Sequence, residues 1–222
     1  MSTLFVGVDL IHRLCIAVRF SDMFTGETVD TPMSVTIPSL RLAAFRADTD
    51  FTYRFVVTNR DIPVAAAADL QVEIPGGEYR AVEEMQVSFP ISVGHPPPII
   101  RPDYLAEFPL WPTRRRRPLA GETAVIGRIT SGGATNVAAL RVRLFVPPGP
   151  PPVRPYTYTD SNGEFFFRLP QLKARMSGST PILTATLGVE IRDALNAIVS
   201  PVNPGSIVVN LGSSTLFEFT VP

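Results

Sequence analysis

The sequence has very little cysteine or histidine, and this scarcity rules out several kinds of site. Cys15 is the single cysteine, so no intrachain disulfide can form and nothing marks an oxidising compartment. His12 and His95 are the two histidines, which provides poorly for a zinc site built from Cys and His ligands. We therefore predict no metal site and no cofactor. We interpret Cys15, in an alternating strand-like run, as a buried and inert thiol.

Long apolar runs and a basic leader are also missing. No segment approaches the roughly 18 uninterrupted apolar residues of a membrane-spanning helix. Residues 1–9 have neither the basic region nor the sustained apolar region of a secretory signal peptide. We therefore expect no signal peptide and no membrane insertion. The expected location is the cytoplasm, or a particle that is assembled there.

An excess of charge of one sign and the common catalytic motifs are absent as well. The chain has 20 Lys and Arg against 20 Asp and Glu, so no global field attracts nucleic acid or an anionic membrane. It contains no GxSxG elbow, HExxH pair, P-loop or glycine-rich dinucleotide fingerprint. Glu83 and Glu84 are adjacent, and on a strand they would face opposite sides. We therefore predict that the protein is not an enzyme, has no catalytic residues and binds no nucleic acid.

Proline is what the chain has in excess, with 23 among 222 residues. Proline breaks helix interiors. The short apolar runs, rich in Val, Ile, Thr and Phe and separated by turn residues, are typical of a β-sandwich or barrel. We predict an all-β chain with two tandem Ig-like or transthyretin-like β-sandwich domains. The expected divisions are an N-terminal sandwich at 1–93, a Pro/Arg-rich connector at 94–120 and a C-terminal sandwich at 121–222.

The connector holds the residues that we predict to bind a partner. Proline-rich segments favour extended conformations and act as semi-rigid spacers, but a segment this apolar is expected to pack on a domain or a partner. Its four consecutive arginines have two further interpretations: a solvated run in a neutral protein, or cations that pair with carboxylates of a neighbouring subunit. The predicted partner-binding residues are Phe108, Trp111, Arg114, Arg115, Arg116 and Arg117.

Two turns in the second half predict hairpins. Asn162 and Gly163 would supply the two positive φ angles of a type I′ turn between aromatic strands. Gly212 separates the last two strand-like runs, which predicts a terminal hairpin. Asp160 begins a pattern like that of a calcium loop, but the residue at position 12 is glutamine instead of glutamate, so we interpret it as a turn. Phe165–Phe167 would place rings on both strand faces, for core packing or alternatively for a partner.

The second half resembles the carboxypeptidase regulatory-like family, whose fold is a transthyretin-like β-sandwich. The resemblance depends on a strand that ends at Gly127, a strand at Leu140–Val146, and a Thr-Asp-x-x-Gly-x-Phe-x-Phe signature at Thr159–Phe167, followed by Leu169 and Pro170. It implies a module of about seven strands that supports, spaces or binds. The N-terminal half is interpreted as a related sandwich, and the strand order after Pro170 stays open.

These observations favour a non-enzymatic structural or adaptor protein that docks into a larger protein assembly. Phage-tail-like and contractile injection particles are assemblies of the expected type. The expected partners are other proteins, in a homo-oligomer or a multi-subunit particle. The alternative is a β-sandwich module that binds carbohydrate or peptide through exposed aromatic rings, for which Tyr156, Tyr158 and Trp111 are the candidates.

Overall fold

The computed structural model describes residues 12–58, 67–88, 105–133, 135–149, 155–199 and 202–222. Within these ranges the chain is all-β, and its helical elements are two single 3₁₀ turns at Pro38–Leu40 and Pro75–Gly77. The predicted all-β fold is therefore confirmed. None of the helical elements in these ranges has the length and apolar character needed to cross a membrane. His95 and residues 94–104 of the predicted connector lie outside the described residues.

The chain folds into two compact units that interleave along the sequence. Unit 1 comprises residues 1–21, 27–75 and 83–109, and unit 2 comprises residues 22–26, 76–82 and 110–222. Three short segments that precede residue 121 therefore fold with the C-terminal strands. Each unit is thus formed by several separate stretches of the chain. The predicted tandem arrangement and its boundaries stay a prediction.

In unit 1, strand β1 (His12–Asp22, with its last residue in unit 2) pairs antiparallel with β5 (Tyr53–Thr58). Residues 15–18 of β1 are all buried, so both faces of the strand are covered. The thiol of Cys15 is 0% exposed, which confirms its predicted burial. The further strands are β2 (Ser34–Ile37), β3 (Leu42–Ala43), β4 (Phe45–Arg46), β6 (Ala68–Asp69), β7 (Gln71–Glu73), β9 (Gln86–Val87) and the first part of β10 (Leu105–Pro112). Glu83 and Glu84 are exposed and lie outside the strands.

Among the described residues of unit 2, a three-stranded sheet and a four-stranded sheet enclose one apolar core, and β15 and β16 form a separate two-stranded sheet. The three-stranded sheet has the order β14-β11-β19, in which β11 and β19 are parallel, and the four-stranded sheet has the order β13-β12-β17-β18. Phe165, Phe167 and Phe219 of the first sheet pack in the same core cluster as Val142 and Ile191 of the second, which makes a β-sandwich. The strands are β8 (Tyr79–Arg80), β11 (Thr123–Ser131), β12 (Arg141–Phe145), β13 (Thr157–Tyr158), β14 (Glu164–Leu169), β15 (Arg175–Ser177), β16 (Thr180–Ile182), β17 (Thr184–Arg192), β18 (Ser206–Asn210) and β19 (Ser214–Val221).

The two predicted hairpins are wrong, because each turn joins strands of different sheets. β13 pairs with β12 while β14 pairs with β11, and β18 pairs with β17 while β19 pairs with β11. In the first turn Gly163 has φ +76, whereas Asn162 is not left-handed. Asp160 Oδ1 accepts hydrogen bonds from the backbone N–H groups of Asn162 (2.8 Å) and Glu164 (2.9 Å). The turn interpretation of Asp160 thus describes the structure, but the turn crosses between the sheets.

Candidate functional site

Strand β14 is buried on both faces, and the residues on its outer face position the site. Phe165 and Phe167 enter the core between the sheets, while Phe166 and Arg168 point the other way and are only 3% and 4% exposed. The core-packing interpretation of the three phenylalanines is therefore confirmed. A charged side chain as buried as Arg168 must find partners inside the protein, because an unpaired buried charge is very costly.

Arg168 forms a buried ion network with two carboxylates. Its Nε and Nη2 donate to the two carboxylate oxygens of Glu122, both at 2.8 Å, and its Nη1 donates to Asp22 Oδ2 at 2.9 Å. Tyr79 Oη donates to the same Asp22 oxygen at 3.1 Å. Burial by itself would lower the pKa of Arg168, but Glu122 and Asp22 raise it, so the guanidinium stays charged. All of these residues belong to unit 2, and the network ties its early segments to β14.

The hydroxyl of Tyr79 makes this network sensitive to alkali. Burial first, and then the negative charge of Asp22, raise the pKa of Tyr79 well above its usual range. A group whose pKa is raised in the folded state stabilises the fold below its unfolded pKa, here about 10. That contribution is lost as the pH rises from about 10 through the higher folded pKa.

We expect the unfolding free energy of the Tyr79→Phe variant to fall less than that of the wild type between about pH 8 and about pH 10.5. Urea titrations at both pH values measure this difference. At pH 8 the variant should already be about 1 kcal/mol less stable, because it lacks the hydrogen bond to Asp22. Equal losses of stability in the two proteins at high pH would contradict the assignment.

Trp111 is a core residue of unit 2 rather than a contact residue for a partner, which corrects the prediction for this residue. Its side chain is 0% exposed, and its Nε1 donates to the backbone oxygen of Tyr156 at 2.9 Å. The rings of Trp111, Tyr156 and Tyr158 pack on one another with centroids 5.6 to 5.8 Å apart. A large apolar ring gains more from this burial than from exposure. Since Trp111 and Tyr156 are buried, these three rings do not form an exposed platform for stacking on a sugar.

The other predicted partner-binding residues are Phe108 of unit 1 and the four consecutive arginines of unit 2. Phe108, in the unit 1 part of β10, is half-buried and packs on Phe20 with ring centroids 6.4 Å apart. Three of the four consecutive arginines contact acceptors of unit 2: Arg114 pairs with Glu164 at 2.9 Å, Arg115 donates to the carbonyl of Gly76 at 3.0 Å, and Arg116 lies 3.8 Å from Glu78 and over the ring of Tyr79. Arg117 is exposed. Their predicted role in partner binding stays a prediction.

A cleft of about 460 Å³ opens beside the arginine run. Its charged residues are the cations Arg80, Arg114 and Arg115 and the anions Asp160 and Glu164. The remaining residues around it are Gly77, Pro112, Thr113, Phe165 and Phe166. Arg80 has no distinguishing signal in the sequence, since it is one arginine of a two-residue strand. It enters the cleft because β8 pairs with the end of β10, with Arg80 opposite Trp111.

The guanidinium of Arg80 is held by few contacts. Its Nη2 donates to the backbone oxygen of Tyr158. Burial lowers the pKa of Arg80, and the charge of Asp160 opposes that shift only in part. A cation that is desolvated and incompletely paired inside a cleft is a candidate for binding an anion.

Strand β19 forms an edge of the three-stranded sheet. The N–H and C=O groups of Thr220 bond to Asn203 at 2.7 and 3.0 Å, so they point away from β11. Glu218 and Leu216 lie two and four residues before Thr220, and alternate residues of a strand share this direction. Among the described residues, nothing accepts from or donates to the outward backbone groups of these two residues. Leu216 is also 72% exposed.

A second groove of about 320 Å³ runs along the outer face of the sheet next to this edge. Leu216 lies opposite Ile126 in the sheet register, and Arg128 lies between Glu164 and Glu218. The groove is bordered by Arg114, Ile126, Gly127, Arg128, Glu164, Leu216, Phe217 and Glu218. Within the part of the chain that the structure describes, no group of three or more His, Cys, Asp or Glu could hold a metal ion.

Comparisons with known proteins reveal only distant structural similarity. No protein-family model matches the chain, and no curated protein matches it significantly. The TIE protein of Bacillus anthracis aligns over 95% of this chain and 34% of its own, with 10% identity and a TM-score of 0.31. A leucine-rich repeat protein of Bacteroides thetaiotaomicron aligns over 95% of this chain and 26% of its own, with 10% identity and a TM-score of 0.20. The chain thus spans about a third or less of the length of these structures.

Proposed function

We propose that this chain is a non-enzymatic structural or adaptor protein that docks into a larger protein assembly through the open edge of β19. The observation that carries this proposal is the outward row of backbone groups at Leu216 and Glu218, next to an aliphatic side chain that is 72% exposed. An edge of this kind is a template on which another chain can add a strand. The partner is an extended segment of a neighbouring protein in the assembly.

The side chains along the edge define what this partner strand carries. On the outer face Leu216 lies beside Ile126 and forms an apolar surface with it, and Glu218 lies two residues further along β19 on the same face. A docked strand that places an aliphatic residue beside Leu216 and a basic residue two positions away, beside Glu218, satisfies both. The backbone hydrogen bonds supply affinity and these two side chains supply register.

The buried charges of unit 2 support a non-catalytic role. Arg168 forms ion pairs with Asp22 and Glu122, so these charged groups stabilise the fold.

We also propose that the C-terminal half belongs to the carboxypeptidase regulatory-like family. In its support, the sandwich of unit 2 has seven strands in two sheets among the described residues, as the resemblance implies.

We expect the native protein in a gently prepared lysate of its source to migrate far above its own 24.2 kDa. The Leu216→Lys variant should migrate near 24.2 kDa, because a lysine on an edge strand opposes strand addition. Native gel filtration with identification of the co-migrating proteins measures both. The matched control is Val208→Lys, since Val208 is 57% exposed and lies on β18 of the other sheet.

Three results decide between the parts of this proposal. Loss of the large complex in Leu216→Lys but not in Val208→Lys supports docking through β19. A wild-type protein that migrates as a monomer overturns the assembly role. A large complex that survives in Leu216→Lys overturns the docking edge, although the assembly role remains.

A further inference from the structure

We propose that the cleft beside the arginine run is a binding site for a small organic anion that carries two or more carboxylates. This site is separate from the β19 edge and does not depend on the proposed docking function. The cleft has a volume of about 460 Å³, within the range of small-molecule sites, roughly 300 to 1,000 Å³. It belongs wholly to unit 2.

The cleft contains more hydrogen-bond donors than its own acceptors can use. A guanidinium carries five N–H donors in a planar fork. Among the described residues, Arg80 donates to the backbone oxygen of Tyr158, and Arg115 donates to the backbone oxygen of Gly76. The other donors of these two groups remain for a ligand.

The acidic residues in the cleft leave its cations only partly compensated. Asp160 uses Oδ1 to accept two backbone N–H groups of its turn, so part of its hydrogen-bonding capacity is committed there. Glu164 pairs with Arg114 at 2.9 Å. Three arginines against two carboxylates leave one formal positive charge in the cleft, which favours an anion.

The pair of Arg114 and Glu164 also indicates the chemical class of the ligand. A carboxylate of the protein already occupies one of the three guanidinium groups, so the geometry at that position accepts a carboxylate. Both partners are partly exposed, at 51% and 33% of their side-chain surface, and an exposed pair of this kind is weak. A ligand carboxylate can therefore replace Glu164 at Arg114 while a second carboxylate engages Arg80 bidentately.

Packing and hydrogen bonds hold one wall of the cleft in place, which lowers the entropy lost on binding. Phe166 is 3% exposed, and the neighbouring Arg168 network fixes the outer face of β14. The turn at Asp160 is closed by a hydrogen bond from Gly163 N–H to Asp160 O at 3.0 Å. A pre-organised site loses little conformational entropy when the ligand enters.

The test is a calorimetric titration of the full chain with acetate, succinate, citrate and inorganic phosphate at low salt. We expect citrate and succinate to bind with a Kd of about 1 mM or lower, and acetate to bind about tenfold more weakly. The Arg80→Gln variant should lose about tenfold in citrate affinity. The Glu164→Gln variant should gain severalfold, because it lacks the competing carboxylate. The matched control is Arg175→Gln, since Arg175 is an exposed arginine on β15, outside the cleft.

Each alternative result overturns the proposal. Absence of measurable heat with citrate at about 10 mM excludes the site. Equal affinity for citrate in Arg80→Gln and the wild type excludes Arg80 as the binding group. Phosphate binding as tight as citrate binding excludes the carboxylate class. If Arg80→Gln fails to fold, Arg115→Gln at the exposed side of the cleft replaces it, and unchanged citrate affinity in that variant counts against the proposal.

Discussion

Replacing Arg168 with methionine is expected to lower the unfolding free energy by about 3–5 kcal/mol, the range measured when one partner of a buried ion pair is removed. The substitution leaves Asp22 and Glu122 buried, at 3% and 7% exposure, without the cation that both contact. Two carboxylates are then left buried without their shared counter-charge, which opposes folding. Urea unfolding at neutral pH measures the loss.

Two control variants separate the buried network from ordinary ion pairs. Arg114→Met removes the exposed pair with Glu164 and should cost no more than about 1 kcal/mol. The triple variant Asp22→Asn, Glu122→Gln, Arg168→Met removes all three charges and should recover part of the stability that Arg168→Met loses. If Arg168→Met costs as little as Arg114→Met, the network does not hold the early segments of unit 2 on β14.

Replacing Gly163 with alanine is expected to cost about 3 kcal/mol or more, because a left-handed conformation and a backbone clash act at one position. Gly163 has φ +76, and a Cβ there would lie 2.3 Å from the backbone oxygen of Ile129. Ile129 also donates its N–H to the oxygen of Gly163 at 2.8 Å. Strand β11 therefore cannot move away without breaking a hydrogen bond of the same turn.

Gly178→Ala is the matched control for this prediction. Gly178 has φ +62 and no atom within 4 Å of its would-be Cβ, so it carries the left-handed cost of about 1 kcal/mol without the clash. Comparison of the two urea midpoints isolates the effect of the close approach to Ile129. Equal losses of unfolding free energy in the two variants would mean that the structure relieves the clash at Gly163 without further destabilisation.

Most strands of unit 2 were predictable from sequence because their signals are local. Leu140–Val146 alternates apolar and polar side chains and forms β12 at Arg141–Phe145, and the aromatic run at Phe165–Phe167 lies within β14. Alternation predicts a half-buried strand because successive side chains face opposite sides of a sheet. The same reasoning cannot select the partner strand, since the turns at Gly163 and Gly212 fit a hairpin and a crossing between sheets equally well.

The cleft and the ion network were harder to predict because their parts are far apart in the chain. Asp22 and Arg168 are separated by 146 positions, and Arg80 has no motif around it. The arginine run was visible as a charge cluster, but its contacts with Glu164, Gly76 and Glu78 follow from folding of early segments into unit 2. Trp111 is the single tryptophan and lies in an apolar segment, and only the packing of the fold distinguishes a buried core ring from a ring that contacts a partner.

Local sequence signals predict an all-β chain, a buried thiol and the positions of most strands in unit 2. The pairing of these strands into sheets and the burial of Asp22, Glu122 and Arg168 together depend on the tertiary fold. A strand forms according to residues two positions apart, which are close in the sequence. Pairing, burial and edge exposure depend on contacts between residues that only the folded backbone brings together.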